Sequence, residues 1–208
     1  MRPVERPSAE AIEVAAARLR SEVVKALGLE ESVPFPVERA AEFHLGYAID
    51  FLEMPEDILG GINFESKVIF VNPSVEAHEG RYSFTIAHEL GHHVLHREAY
   101  LAGHGEAVTC RSGEGRPPEE VEADHFAEGL LMPSDAVKAA AKVSRWRGAA
   151  SARGHTAFAA DVIKISGISN VSVQAMKARL RRLGLLRRKA SILSLARLAV
   201  WRLLGRRV

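Results

Sequence analysis

One stretch of the chain, residues 81–96, constrains its fold more than any other. It reads RYSFTIAHELGHHVLH and contains the pattern His88-Glu89-x-x-His92. Residues four apart lie on the same face of an α-helix, so a helix here would direct two imidazole rings at one position. Glu89 is rotated by about 100° from His88 and would stand beside that position. Two imidazoles and a neighbouring carboxylate can bind a divalent metal such as zinc and activate a water molecule.

The residues around this pattern predict that the helix is buried. Apolar side chains such as Ile86 and Leu90 surround the histidines. Gly91 costs about 1 kcal/mol relative to alanine inside a helix, which indicates that something approaches the helix closely there. A histidine-rich helix without a metal is the alternative interpretation. His93 and His96 are expected to be core or surface residues that take no part in the site.

The net charge of +2 hides an uneven distribution of charge along the chain. Residues 162–208 contain twelve Lys and Arg and no Asp or Glu, whereas residues 1–161 contain twenty-six acidic and sixteen basic side chains. This basic end predicts contact with nucleic acid, an anionic lipid surface or an acidic protein, with a solvated tail as the alternative. The single cysteine excludes an internal disulfide framework. The N-terminus does not resemble a signal peptide and no transmembrane segment is predicted, so we expect cytoplasmic residence.

Before the histidine stretch, the sequence predicts one long helix and a small sheet. Ser8 begins an apolar repeat with helical spacing that continues to Leu27. Three strand-like runs follow, at residues 47–52, 58–64 and 67–71. We expect them to form a small antiparallel sheet packed beside the histidine helix. Residues 101–118, rich in glycine, are interpreted as a loop and a candidate lid over the site.

A second helix is predicted at residues 119–132, after two prolines and before Pro133. A site of this kind needs a third protein ligand, and Glu120 and Asp124 share one face of this helix. Glu120 is the candidate ligand, and Asp124 is placed to accept the free ring N–H of a ligand histidine. Glu122 is rotated by about 200° from Glu120 and is expected to face elsewhere. Acidic charge that stabilises a helix N-terminus is the alternative.

Residues 134–186 predict a small helical module with the outline of a helix-turn-helix. Ser172 is expected to cap a basic helix that ends before Gly184, and a short turn separates it from the preceding helix. DNA contact through residues 162–208 is one interpretation, and a helical cap on the core is the other. Residues 187–208 mix apolar side chains with arginines, which predicts a disordered end or an amphipathic helix.

The two motifs together resemble those of the ImmA/IrrE-type metallopeptidases, which are anti-repressor proteases of bacteria and their mobile elements. The resemblance rests on residues 84–92, FTIAHELGH, and on residues 120–133, where the pattern is E-x-E-A-D-x-F-A-x-x-L-L-M-P. It implies an α+β fold with a zincin-like core. The core would comprise residues 1–133, followed by the helical module at 134–186 and the tail at 187–208.

The resemblance also implies a zinc-dependent endopeptidase in which His88, His92 and Glu120 bind the metal and Glu89 is the catalytic base. Manganese is a second ion expected to support activity. Members of this family typically cleave a helix-turn-helix repressor and so release genes for stress response or element transfer. For this chain the substrate would be a repressor encoded separately. Members often have Asn at the position of Asp124, and a carboxylate there changes the charge but still accepts a hydrogen bond.

Two questions stay open at the level of the sequence. The alternative function is a non-catalytic, zinc-containing regulator that binds a repressor or DNA through the basic C-terminal part. The donor that stabilises the oxyanion during hydrolysis is not identified, and four aromatic side chains are candidates: Tyr82, Tyr100, His104 and His155.

Overall fold

The computed structural model describes residues 6–30, 33–102, 107–111, 116–146 and 151–186, and these form an α+β fold, as predicted. The helices are α1 (Ala9–Ala26), α2 (Val37–Arg39, continued by a π-helical turn at Ala40–His44), α3 (Glu79–Leu95), α4 (Arg97–Ala102), α5 (Pro118–Leu131), α6 (Ser134–Val143), α7 (Ala152–Ser166) and α8 (Val173–Arg182). The strands are β1 (Ala48–Phe51), β2 (Ile58–Asn63), β3 (Val68–Val71) and β4 (Ala107–Arg111).

The sheet has the order β1-β3-β2-β4 and is mixed. β2 pairs antiparallel with both β3 and β4. β1 pairs with β3 in parallel, so the expectation of a purely antiparallel sheet is wrong at this edge. In the sequence, β1 precedes β2 and β3 follows it. Because the chain reverses direction on entering β2 and again on leaving it, β1 and β3 run the same way. β4 lies within the stretch predicted as a loop and lid, and its backbone instead extends the sheet along β2.

Helix α3 packs between the sheet and helix α5. Its middle is buried on all sides, which is typical of a helix surrounded by other elements rather than one at the surface. Two glycines allow the close packing. A Cβ atom at Gly60 of β2 would lie 2.5 Å from Thr85 Cγ2, and one at Gly91 would lie 3.0 Å from Ala123 Cα on α5. The close approach predicted at Gly91 is thus confirmed.

Helices α7 and α8 pack on this core. A Cβ atom at Gly80, near the start of α3, would lie 2.6 Å from the backbone nitrogen of Ser172, in the turn before α8. Ser172 caps α8 as predicted, accepting a hydrogen bond from the backbone N–H of Ala175. The division of the chain at residue 133 stays a prediction, and the tail at 187–208 lies outside the described residues. Among the described helices, none is both long and apolar enough to span a bilayer.

Candidate metal centre

The site forms where α3 and α5 cross, and the sequences of the two helices explain their positions. Pro118 occupies the first turn of α5, where its missing N–H would have no intrahelical partner in any case. The predicted start after both prolines is therefore one residue late. Because Gly91 lacks a side chain, the backbone of α5 comes close to α3 at Ala123. The polar side chains on either side of this contact can then meet.

Three side chains bring ligand atoms together at this crossing. His88 Nε2 and His92 Nε2 lie 3.0 Å apart. Glu120 reaches both rings, with Oε1 3.1 Å from His92 Nε2 and Oε2 3.4 Å from His88 Nε2. All three residues are buried, and their ligand atoms lie within 4.8 Å of one another, so the group could hold a metal ion. Two imidazoles and a carboxylate form a ligand set that zinc uses in hydrolytic enzymes.

Asp124 lies behind His88, as the sequence predicts. Its Oδ1 is 2.9 Å from His88 Nδ1, so the carboxylate can accept a ring N–H and leave Nε2 as the atom with a free electron pair. Arg116, which precedes α5, contacts Asp124 Oδ2 at 2.6 Å and Glu120 Oε2 at 3.0 Å. The sequence interpretation missed this arginine. Its position four residues before Glu120 is the signal that could have identified it.

The side chains around Glu120 and Asp124 keep both of these carboxylates ionised. Burial alone would raise the pKa of Glu120, but its close contacts with the imidazoles of His88 and His92 and with the Arg116 guanidinium hold it well below its usual range. The pKa of Asp124 is likewise lowered, because hydrogen bonds with His88 and Arg116 outweigh the effect of burial. Burial lowers the pKa of His92, which favours its neutral form. Ionised carboxylates and neutral imidazoles are the forms that bind metal ions.

Glu89 is fully buried, and unlike Glu120 and Asp124 it makes no hydrogen bond with the described part of the chain. Neither of its carboxylate oxygens has a hydrogen-bond partner among the described residues. Burial raises its pKa to about 8, while the charge of His88 lowers it in part and that of Glu120 raises it further. Gly60 provides space for it, since a Cβ atom there would lie 3.3 Å from Glu89 Oε1. An unpaired buried carboxylate is costly for stability, which indicates a functional position.

A further pair of side chains extends the site behind His92. His92 Nδ1 lies 3.1 Å from Nδ1 of His96, and His96 Nε2 lies 3.0 Å from Glu122 Oε2. His96 is buried, as expected of a core residue, but it contacts a predicted ligand. The expectation that Glu122 faces elsewhere is wrong, because the two helices approach each other most closely at Ala123 and not at Glu120. The repeat of histidines every four residues was the available signal for His96.

The predicted oxyanion donors occupy different places. Tyr100 lies beside the site, with its ring centroid 6.4 Å from that of His92. Burial raises the pKa of its hydroxyl, which therefore stays protonated and able to donate a hydrogen bond. The Tyr82 hydroxyl instead donates to a carboxylate of α2, 2.8 Å away. His155 is buried in α7, and His104 lies outside the described residues.

Two cations of the basic helix α8 are paired with acidic side chains, and one of them, Arg179, is buried. The guanidinium of Arg179 has no exposed surface and contacts Glu13 of α1. Arg182 Nε donates to Glu128 Oε2 of α5 at 2.7 Å. These two arginines hold α8 on the core and are less available to a nucleic acid. DNA contact through residues 162–208 stays a prediction, and much of that segment lies outside the described residues.

Comparison with known proteins identifies the family of the chain. The model of one protein family, Peptidase_M78 or IrrE N-terminal-like domain, matches residues 44–181, which contain all three candidate ligands, Glu89 and Asp124. None of the curated proteins compared with the chain matches it significantly. The family match covers about two thirds of the 208 residues and confirms the resemblance inferred from the two motifs. The chain belongs to the IrrE N-terminal-like family of M78 peptidases.

Proposed function

We propose that this protein is a zinc-dependent endopeptidase that cleaves a helix-turn-helix transcriptional repressor encoded separately. In this proposal His88, His92 and Glu120 bind the metal, Asp124 orients His88, and Glu89 is the catalytic base. Manganese is the second ion we expect to support activity. The observation that carries the proposal is the convergence of two imidazole nitrogens and a carboxylate next to Glu89, a buried carboxylate to which no described residue donates a hydrogen bond.

The proposed roles follow from the surroundings of each side chain. When bound, the zinc ion supplies a Lewis acid that polarises the scissile carbonyl and lowers the pKa of water towards about 7. Glu89 accepts the proton of the attacking water as the new C–O bond forms. It then passes this proton to the amide nitrogen as the C–N bond breaks. Burial raises the pKa of Glu89 to about 8 in the absence of a metal, and the positive charge of a bound ion would lower it and favour the ionised form that takes the proton. Tyr100 is our candidate donor to the developing oxyanion.

The family supports a protein substrate, and the choice of a repressor rests on the resemblance to anti-repressor proteases. Cleavage of a repressor would release genes in a stress or mobile-element response. It would also require the protease to act in the cytoplasm, where such repressors bind DNA.

The test is incubation with candidate helix-turn-helix repressors and zinc or manganese, followed by mass spectrometry of the fragments. Glu89→Gln should reduce cleavage by about 10²- to 10⁴-fold, because general acid–base catalysis contributes that much, and should keep the metal bound. Glu79→Gln is the matched control, since Glu79 is exposed at the start of the same helix. Cleavage at the wild-type rate by Glu89→Gln would exclude this base, and no cleavage of any repressor would remove the substrate proposal.

The alternative is a non-catalytic regulator in which zinc has a structural role. A three-residue ligand set leaves a coordination position open, as catalytic zinc sites do, whereas structural sites are usually closed by four protein ligands. A chelator separates the two. Loss of proteolysis without a change in the circular dichroism spectrum supports the peptidase, and unfolding supports a structural metal.

A further inference from the structure

His92 has a neighbour that the proposed reaction does not use. His96 follows it by one helical turn, is 6% exposed, and lies with Nδ1 3.1 Å from His92 Nδ1. Its other nitrogen lies 3.0 Å from Oε2 of Glu122, whose side chain is 14% exposed. A continuous chain of contacts therefore runs from a carboxylate of α5 through one imidazole to a second imidazole that faces the metal centre.

The chemistry of these contacts determines which nitrogens carry protons. An ionised carboxylate only accepts hydrogen bonds, so His96 Nε2 must donate to Glu122. A neutral imidazole that is protonated at Nε2 has a bare Nδ1, which can only accept. With His96 in its neutral form, the proton between the two rings belongs to His92 Nδ1. His92 Nε2 is consequently left bare and directed at Glu120 and His88.

The crossing of α3 and α5 explains how residues 122–124 of α5 support both ligand histidines. Ala123 contacts Gly91 at the point of closest approach. Glu122 and Asp124 are rotated by about 100° to either side of Ala123, so they extend around opposite flanks of α3. Asp124 meets His88 directly, whereas Glu122 lies on the other flank, next to His96.

We propose that His96 and Glu122 form a positioning relay that fixes His92 in the tautomer protonated at Nδ1 and directs its Nε2 at the metal. This proposal rests on the proposed function in one respect, that His92 is a metal ligand. Each ligand histidine then has a carboxylate of α5 behind it, His88 directly and His92 through a second imidazole. Neither His96 nor Glu122 touches the reacting atoms, so both act through His92. Residues that orient metal ligands in this way typically contribute 10- to 100-fold to metal affinity.

Two measurements test the relay. Long-range ¹⁵N–¹H spectra of the metal-free protein report the tautomer of each histidine, and competition with a chromophoric chelator reports zinc affinity. His96→Leu removes the acceptor behind His92, and we expect it to lower zinc affinity by about 10- to 100-fold and to abolish the single Nδ1–H tautomer of His92. His96→Asn keeps an oxygen close to the position of Nδ1, so it should retain most of the affinity. Glu122→Leu should likewise lower zinc affinity and abolish the single Nδ1–H tautomer of His92. Glu122→Gln keeps an acceptor oxygen and should retain both.

His93→Leu is the matched control, because His93 is a neighbouring histidine on α3 whose Nδ1 lies 2.8 Å from the Tyr47 hydroxyl, outside the relay. It should leave the His92 tautomer and zinc affinity unchanged. The relay is overturned if His96→Leu keeps both the wild-type zinc affinity and the Nδ1–H signal of His92. A wild-type protein that binds no zinc would overturn the proposed function instead, and the tautomer spectra of the metal-free protein would still support or overturn the relay.

Discussion

Helix α5 contributes to two buried charged clusters, and they differ in how completely their polar groups are paired. The metal centre contains Glu89, whose oxygens have no hydrogen-bond partner among the described residues. The second cluster, which we call the clamp, consists of Glu13, His125 and Arg179 and joins α1, α5 and α8. In the clamp, Arg179 donates to both oxygens of the Glu13 carboxylate and to the backbone carbonyl of Met132, and His125 lies 3.0 Å from Glu13 Oε1.

This difference in pairing distinguishes buried charges that stabilise the fold from buried charges that are placed for a reaction. Burial would raise the pKa of Glu13, but its hydrogen bonds with Arg179 and His125 lower it to about 2, so folding favours the ionised form. At Glu89 burial prevails and the pKa rises to about 8. The clamp therefore stabilises the packing of helices, whereas the metal centre keeps reactive groups in an environment that is unfavourable for them.

The largest effect on stability is expected from Glu13→Gln. This change leaves the fully buried guanidinium of Arg179 without an ionised partner, which should lower the free energy of unfolding by about 3–5 kcal/mol in urea titrations. Zinc affinity should stay at the wild-type value if the two clusters are independent. Glu10→Gln, on the exposed first turn of the same helix, is the control. A loss no greater than that of the control would show that the clamp does not stabilise the fold.

The contribution of Glu13 should depend on pH in a defined direction. Its pKa is about 2 in the folded protein and has the ordinary value of 4.5 when unfolded. The stabilisation is thus fully present above pH 4.5 and is lost as the pH falls from there through 2. Unfolding free energies of the wild type and Glu13→Gln should converge as the solution is acidified. A difference that stayed constant between neutral pH and about pH 3 would contradict this linkage.

Each cluster lies next to a helix crossing that contains a glycine. Gly91 lies where α3 meets α5 at the candidate metal centre, and Gly129 lies where α5 meets α1 at the clamp. A Cβ atom at Gly91 would meet backbone atoms of Ala123 at 3.0 and 3.1 Å, whereas one at Gly129 would meet the Ala16 Cβ at 3.1 Å and Oε2 of the clamp residue Glu13 at 3.4 Å. Gly91→Ala should therefore cost about 1–3 kcal/mol through overpacking and also weaken zinc binding. Gly129→Ala should cost less, because only its contact with the Ala16 Cβ would be shorter than 3.4 Å, whereas a Cβ at Gly91 would make three such contacts with Ala123. Equal losses of stability and unchanged zinc affinity in both variants would argue against this comparison.

The smallest effect is expected at the helix caps. The clamp helices α1 and α8 begin with Ser8 and Ser172, whose hydroxyls accept hydrogen bonds from backbone N–H groups at 3.1 and 3.0 Å. No side chain caps α3 or α5 in this way. Ser172→Ala should reduce the free energy of unfolding by about 1 kcal/mol and leave zinc affinity unchanged. Ser172→Asp should keep the free energy of unfolding close to that of the wild type, because aspartate also caps a helix. An alanine variant as stable as the wild type would show that the cap is dispensable.

Local patterns predicted the helices and the candidate metal ligands because the relevant interactions are close in sequence. His88 and His92 are brought together by one turn of one helix, and Ser8 and Ser172 mark helix starts by their own chemistry. Glu120 could be predicted because it follows a recognisable pair of prolines on a second helix that matches the family.

Features that depend on distant partners could not be predicted in the same way. β4 has no strong strand pattern and forms because β2 offers it a ladder of backbone groups. The parallel pairing of β1 with β3 depends on how the chain passes through β2. The role of Glu122 depends on the contact between Gly91 and Ala123, which determines the sides of α5 that face α3.

The ion pair between Glu13 and Arg179 joins residues that are 166 positions apart, and this has a consequence for synthesis on the ribosome. Translation at about 5–20 residues per second separates the two side chains by roughly 10–30 s. Throughout that interval α1 lacks the cation that neutralises Glu13, and its apolar face lacks the complete core. Helix α1 is therefore made well before the residue that pairs with its Glu13, and until then the nascent chain is a target for chaperones.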